Sequence, residues 1–278
     1  MSNPSPVFAS GAVAGTFSAS PAGLVFVSTA TGVINLAASA PGTYTVTNTV
    51  AASGGCPAAI ATTIVTITAP PHATFHYASL SYCQTAANPS PIFAIGATAG
   101  TFSAIPAGLV FVSTSTGQVD LAASTPGIYT VTNFVAGSGG CHGAFATTTI
   151  TITKPSSGAF SYAAIAYCKT ATNPSPIFAS GAVAGIFSAS PAGLVFVSTA
   201  TGVINLAASA PGTYTVTNTI PASGGCAAVT ATTTVTITAP PVATFHYALA
   251  SYCQSGINPF PVYALGASPG TFSATPAG

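Results

Sequence analysis

Along much of the chain, apolar and hydroxyl-bearing residues change places at every step. In "GTYTVTN" (42–48), Tyr44 and Val46 fall on one side while Thr43, Thr45 and Thr47 fall on the other. In "TTTITIT" (147–153), Ile150 and Ile152 oppose Thr147, Thr149 and Thr151, and Thr232, Thr234 and Thr236 repeat the pattern. A period of two belongs to a strand with one face in a core and the other in water. Short β-branched or aromatic runs such as "PIFAIG", "GTFSAI", "GLVFVS", "QVDLA", "IYTVTNFV" and "ATTTITIT" follow one another, separated by Gly, Pro and Ser turns. None has a helical period. Many short strands with evenly spaced turns predict an all-β sandwich.

The strands recur. "NPSP" or "NPFP" begins at Asn3, Asn88, Asn173 and Asn258, and "PAG" at Pro21, Pro106, Pro191 and Pro276, each landmark 85 residues after the last. That spacing is too long for a helical solenoid unit and suits one small β-domain per repeat. The copies from Asn3 and Asn173 are nearly identical while the copy from Asn88 differs, so two repeat types alternate. Proline-bearing connectors at 68–77, 153–162 and 238–247 set the expected boundaries. These are a partial repeat at 1–70 lacking its first strand, full repeats at 71–154 and 155–239, and the start of a further one at 240–278. Short prolyl connectors are stiff, which predicts a rod.

Composition narrows the function. Charged residues make up 1% of the chain: Lys154, Lys169 and Asp120, with no arginine. No basic footprint exists for nucleic acid. One carboxylate cannot build an acid/base pair or a calcium cage, so no enzyme activity and no cofactor are expected. Mean hydropathy is +0.66, yet charge normally keeps protein surfaces solvated and apart. Ser and Thr number 72, which suggests two covers for the surface: O-linked glycans, or packing against other copies of the chain. The outward threonines Thr43, Thr45, Thr47, Thr147, Thr149, Thr151, Thr232, Thr234 and Thr236 are the candidate acceptors. "PAGLVFVSTATGVINLAASA" (21–40) is too interrupted by Ser, Thr, Gly and Asn to read as a membrane span, and "MSNPSPVFAS" lacks the basic and apolar regions of a signal peptide.

Six cysteines lie on two ladders of the same period: Cys56, Cys141 and Cys226 after "GG", and Cys83, Cys168 and Cys253 after Tyr. Pairing within a repeat joins Cys83 to Cys141 and Cys168 to Cys226, closing loops worth roughly 4 kcal/mol each in the chain-entropy model and implying an oxidising compartment. Pairing across a connector, as Cys56 with Cys83, is the alternative. Zinc is disfavoured because no C-x-x-C pair exists. Cys56 and Cys253 are then left over, either because the chain is a window of a longer array or because the tail of one molecule completes the head of the next and Cys253 bonds Cys56 of a neighbour. The repetition of 3–23 at 258–278 favours the window.

His76 and His246 match Ser161 in the third copy, and Asp120 matches Asn35 and Asn205, so these read as surface and turn groups. Tyr44, Tyr129 and Tyr214, after Pro-Gly, are candidates for a tyrosine corner. Taken together, the Y-C, G-T-F-S, P-G-x-Y-T-V-T, G-G-C and Thr-rich final-strand motifs resemble the immunoglobulin-like repeats of Bacteroidetes-type secreted surface proteins and adhesins over the whole chain. That resemblance implies a cell-surface or extracellular structural protein. The expected function is the shaft of a fibre, stalk or pilus-like filament; the alternative is an adhesin whose repeats bind a glycan or partner surface.

Overall fold

The computed structural model describes residues 2–275; the fourth "PAG", at 276–278, lies outside them. The described residues are all-β. The chain divides into two compact units, Met1–Lys154 and Pro155–Gly278.

The second repeat, in the first unit, shows the design. Its main sheet has four strands in the order Ser81–Cys83, Ala144–Thr153, Gly127–Val135, Thr101–Ile105. The two long strands form an antiparallel hairpin, whereas Ser81–Cys83 runs parallel to the end of Ala144–Thr153, with Cys83 opposite Thr153. Two ribbons, Phe75–His76 with Ile92–Phe93 and Val110–Ser113 with Gln118–Asp120, accompany this sheet. The chain thus begins each repeat in a ribbon and crosses to the main sheet within a few residues. Between the layers Phe75, Tyr77, Phe102, Val119, Leu121, Tyr129, Val131, Ile150 and Ile152 make the core. The third repeat copies it, with the main-sheet order Ala166–Cys168, Val229–Thr238, Gly212–Ile220, Ile186–Ser190 and a core around Tyr162, Phe187, Leu206 and Tyr214.

The alternation seen in sequence is the one that folds. Ile150 and Ile152 are buried, while Thr147 and Thr149 are exposed and Thr151 half-buried. The motifs acquire local jobs. The side chains of Asn3, Asn88 and Asn173, the first three Asn-Pro landmarks, each accept a hydrogen bond from a backbone N–H 33 residues on, from Leu36, Leu121 and Leu206. Tyr44, Tyr129 and Tyr214 donate to the carbonyls of Ala40, Thr125 and Ala210 at 2.8 Å, which is the tyrosine-corner arrangement. Asp120 accepts from the N–H of Ala123 as Asn35 and Asn205 do from Ala38 and Ala208, a turn contact in each repeat.

Tyr77 and Tyr162 are buried and donate to the carbonyls of Gly117 and Gly202. Burial drives both phenols well above their ordinary value, with Tyr82 and Tyr167 adding to the effect. A phenol whose folded value exceeds its unfolded one contributes stability that is complete below about pH 10 and is lost as pH rises through the folded value. Urea midpoints measured from pH 8 to pH 12 should therefore fall above about pH 10, and Tyr77→Phe should flatten that fall for the second repeat.

The first repeat differs. Its main sheet has three strands, Thr16–Ser20, Gly42–Val50 and Ala59–Ile67, in the order Ala59–Ile67, Gly42–Val50, Thr16–Ser20. No strand pairs the outer edge of Ala59–Ile67 among the described residues.

Candidate functional site

Within the first unit, the tip of the second repeat's long hairpin reaches the end of the first repeat. Gly139 and Gly140 take positive φ values, 56° and 83°, which glycine adopts without steric cost. A Cβ on Gly139 would run into the Thr68 side chain. Cys141 closes this turn through its N–H to the Ser138 carbonyl at 2.9 Å, and its thiol donates to the carbonyl of Thr68 at 3.5 Å. The resulting cleft, ≈ 390 Å³, is lined by Asn3, Leu36, Ala37, Thr66, Ile67, Thr68, Pro70, Gly139 and Cys141. The joint between these two repeats is built from backbone, small side chains and a thiol.

The cysteines are not paired as the sequence suggested. Cys83 and Cys226 are disulfide-bonded, whereas Cys56, Cys141, Cys168 and Cys253 carry free thiols. Neither Cys83 with Cys141 nor Cys168 with Cys226 forms, and the register gives the reason. Cys83 lies opposite Thr153, the last residue of Ala144–Thr153, while Cys141 precedes the first residue of that same 10-residue strand. At ~3.3 Å per residue the two ends are about 30 Å apart, and a disulfide needs Cα atoms within roughly 7 Å. The third repeat repeats the arrangement, with Cys168 opposite Thr238 and Cys226 ahead of Val229. The edge cysteine and the tip cysteine of each complete repeat thus lie at opposite ends of its main sheet.

Two free thiols sit beside hydroxyls that favour the thiolate. The Cys168 thiol is held below its usual range first by a hydrogen bond with the Thr170 hydroxyl, at 3.2 Å, and further by the Thr170 and Lys169 backbone. The Cys253 thiol is lowered by the Ser255 hydroxyl, at 3.1 Å, and the Ser255 backbone. Among the described residues no three His, Cys, Asp or Glu come together as a metal site, and no helix is long and apolar enough to cross a membrane.

The outer face of each main sheet carries a band of hydroxyls, interrupted by exposed Ile60 and Ile64 in the first repeat, by Ile105, Ile128, Phe134 and Phe145 in the second and by Ile186 in the third. Thr47 pairs with Thr62 and Ser18, Thr132 with Thr147 and Ser103, Thr217 with Thr232 and Ser188. Thr43 meets Thr66 at 3.2 Å and Thr213 meets Thr236 at 3.0 Å between hydroxyl oxygens. Of the candidate acceptors, Thr43, Thr45, Thr147, Thr149, Thr232 and Thr234 are exposed, and Thr47, Thr151 and Thr236 are half-buried.

One functional residue type escaped the sequence reading. Asn48, Asn133 and Asn218 occupy inward positions in strands where tyrosine and valine otherwise alternate inward. Asn133 and Asn218 are completely buried. Each accepts from a glycine N–H and donates to two carbonyls: Gly100 N–H, Ala73 and Thr98 for Asn133; Gly185 N–H, Gly158 and Val183 for Asn218. The signal was an asparagine on the apolar side of a strand in every copy.

The sequence matches no protein-family model and no curated protein. Among solved structures, the chain is similar to mouse cadherin-23 EC22-24 (11% identity over 81% of this chain and 86% of that one, TM-score 0.32). It is also similar to human CDH23 EC21-23 (13% over 77% and 81%, TM-score 0.37) and to Drosophila N-cadherin EC1-4 (12% over 80% and 66%, TM-score 0.31).

Proposed function

We propose that this chain is a structural length of an extracellular fibre, stalk or filament, in which β-sandwich repeats set reach and resist extension and no substrate is turned over. The observation that carries this reading is the band of outward Thr and Ser hydroxyls that recurs on every main sheet with the period of the fold, on a chain with three charged side chains. The exposed threonines of these bands suit covalent glycans, and the exposed Ile60, Ile64, Ile128, Phe134 and Phe145 beside them suit lateral contact with further copies of the chain. The seating of one repeat's hairpin tip on the repeat before it supports the same reading, because a joint of backbone and small side chains restricts bending. Disulfide bonding at Cys83 and Cys226 fits an oxidising, extracellular location.

Electron microscopy of the native material together with intact-mass and glycopeptide analysis tests this. Elongated particles are expected, with glycans on Thr43, Thr45, Thr147, Thr149, Thr232 or Thr234 or, failing glycans, lateral association. Bare hydroxyls on a monodisperse globular monomer would overturn it.

A further inference from the structure

The main sheet of each complete repeat leaves part of one edge unpaired. In the second repeat Ser81–Cys83 covers Ala144–Thr153 only at 151–153, and the Thr151 N–H donates to the Leu80 carbonyl where that cover begins. Backbone groups of alternate residues point to the same side of a strand, so the N–H and C=O groups of Phe145, Thr147 and Thr149 face the edge that Thr151 faces. Among the described residues no strand pairs with them on that side. The third repeat has the same opening at 230–234, ended by the Thr236 N–H on the Ile165 carbonyl.

Proteins blunt open edges with lysines, prolines, bulges or very short strands. The opposite edge of this sheet follows that rule: Thr101–Ile105 has 5 residues, is followed by Pro106 and gives its Phe102 N–H to the Thr114 carbonyl. Residues 144–149, "AFATTT", carry no charge and no proline, and they pair with Gly127–Val135 without a bulge. The edge is unguarded. Its two ends are apolar: Phe145 is 74% exposed at one, and Leu80 is 72% exposed at the other.

We propose that this edge of the second repeat pairs antiparallel with the same edge of a second copy, around a two-fold axis at Thr147, so that two four-stranded sheets become one continuous sheet. The edge selects a second copy because it is complementary to itself. An antiparallel two-fold exchanges the ends of the opening, which brings Phe145 of each copy beside Leu80 of the other and covers both. Setting Phe145 against Thr149 and Thr147 against Thr147 makes every edge-facing residue part of a hydrogen-bonded pair, each pair exchanging two N–H···O=C bonds. A slip of two residues would leave one of the three without a partner. On the outer face the two Thr147 side chains become cross-strand neighbours, a favourable pair in antiparallel sheets. Three charged side chains in 278 residues leave almost no repulsion to hold two copies apart.

The contact is isologous and closes on itself, so it joins chains side by side in pairs. It rests on the reading of the chain as a laterally packed structural length and supplies one of the contacts which that packing needs. The edge of the third repeat has Thr230 where the second has Phe145, so it offers the same backbone with less apolar cover.

The test uses the whole chain with its free thiols alkylated, so that disulfides between chains cannot imitate association. Sedimentation equilibrium and hydrogen exchange with mass spectrometry are followed over a concentration series. Dimers are expected, with exchange in peptides of 144–150 slowing as concentration rises. Thr147→Lys and Thr147→Glu each set like charges against one another at the two-fold and should each raise the dissociation constant by at least about tenfold. An equimolar mixture of the two variants should restore the dimer, which a failure to fold would not allow. Phe145→Ser and Leu80→Ser, both at exposed side chains, should each weaken association. A dimer indifferent to both charge variants, a mixture no tighter than either variant alone, or slowed exchange at 230–234 in place of 144–150 would overturn the proposal. A chain that stays monomeric throughout would overturn it as well; native material that is still filamentous by electron microscopy would then leave the fibre reading standing, and globular native material would remove both.

Discussion

Asn133→Ala is expected to lower the unfolding free energy of the second repeat by about 3–5 kcal/mol, a large part of the ~5–15 kcal/mol that holds a small domain together. The side chain is fully buried and satisfies three backbone groups from separate stretches: the Ala73 carbonyl ahead of the first strand, the Thr98 carbonyl and the Gly100 N–H. Truncation leaves those groups buried without partners, at about 1–3 kcal/mol for each group left fully dry. Asn48 in the first repeat is half-buried and makes two such bonds, so Asn48→Ala should cost about 1–2 kcal/mol. Hydrogen exchange followed by mass spectrometry resolves the repeats within the intact chain, which a single melting curve does not. Faster exchange confined to peptides of 73–153 is the expected result for Asn133→Ala. A loss below about 1 kcal/mol, or equal losses at the two asparagines, would show that the third bond and full burial contribute nothing.

These asparagines also mark the boundary of what the sequence reveals. Period-two alternation is a local property, so the inward Ile150 and outward Thr149 are legible one strand at a time, and the repetition of Asn3, Asn88 and Asn173 makes the period legible without any structure. Strand order is not local. That Ser81–Cys83 pairs in parallel with the end of Ala144–Thr153 depends on the chain crossing from a ribbon into the main sheet after Tyr77, and no residue type announces the direction of that pairing. The cysteine error follows from it. Two cysteines on neighbouring strands look like partners until the register places them at opposite ends of one strand. The seating of Gly139 against Thr68 is equally silent, because it sets a glycine turn of one repeat on the residue after the last strand of the repeat before it, and neither stretch announces the other.

Phe102→Ala should cost the second repeat about 3–5 kcal/mol, the range for deleting a buried phenylalanine into a cavity that closes only in part. Phe102 is 2% exposed and lies at the centre of a ring cluster, with Phe75 at 5.2 Å edge-on, Phe111 at 6.2 Å and Phe93 at 6.3 Å. The turn at Gly117 presses on it so closely that a Cβ there would lie 2.6 Å from the ring, and φ of +71° keeps the position for glycine. With backbone on one side and three rings on the others, little can move in to fill the space. Phe17 in the first repeat has Phe8 at 6.4 Å and Phe26 at 6.1 Å but no ring in the place of Phe75. Phe17→Ala should therefore cost less, by the ~0.5–1.5 kcal/mol an edge-on aromatic pair contributes beyond burial, plus the difference in burial. Exchange-resolved unfolding of the two variants measures that gap. Equal losses in the two variants would mean that the edge-on ring of Phe75 adds nothing to the core of the second repeat.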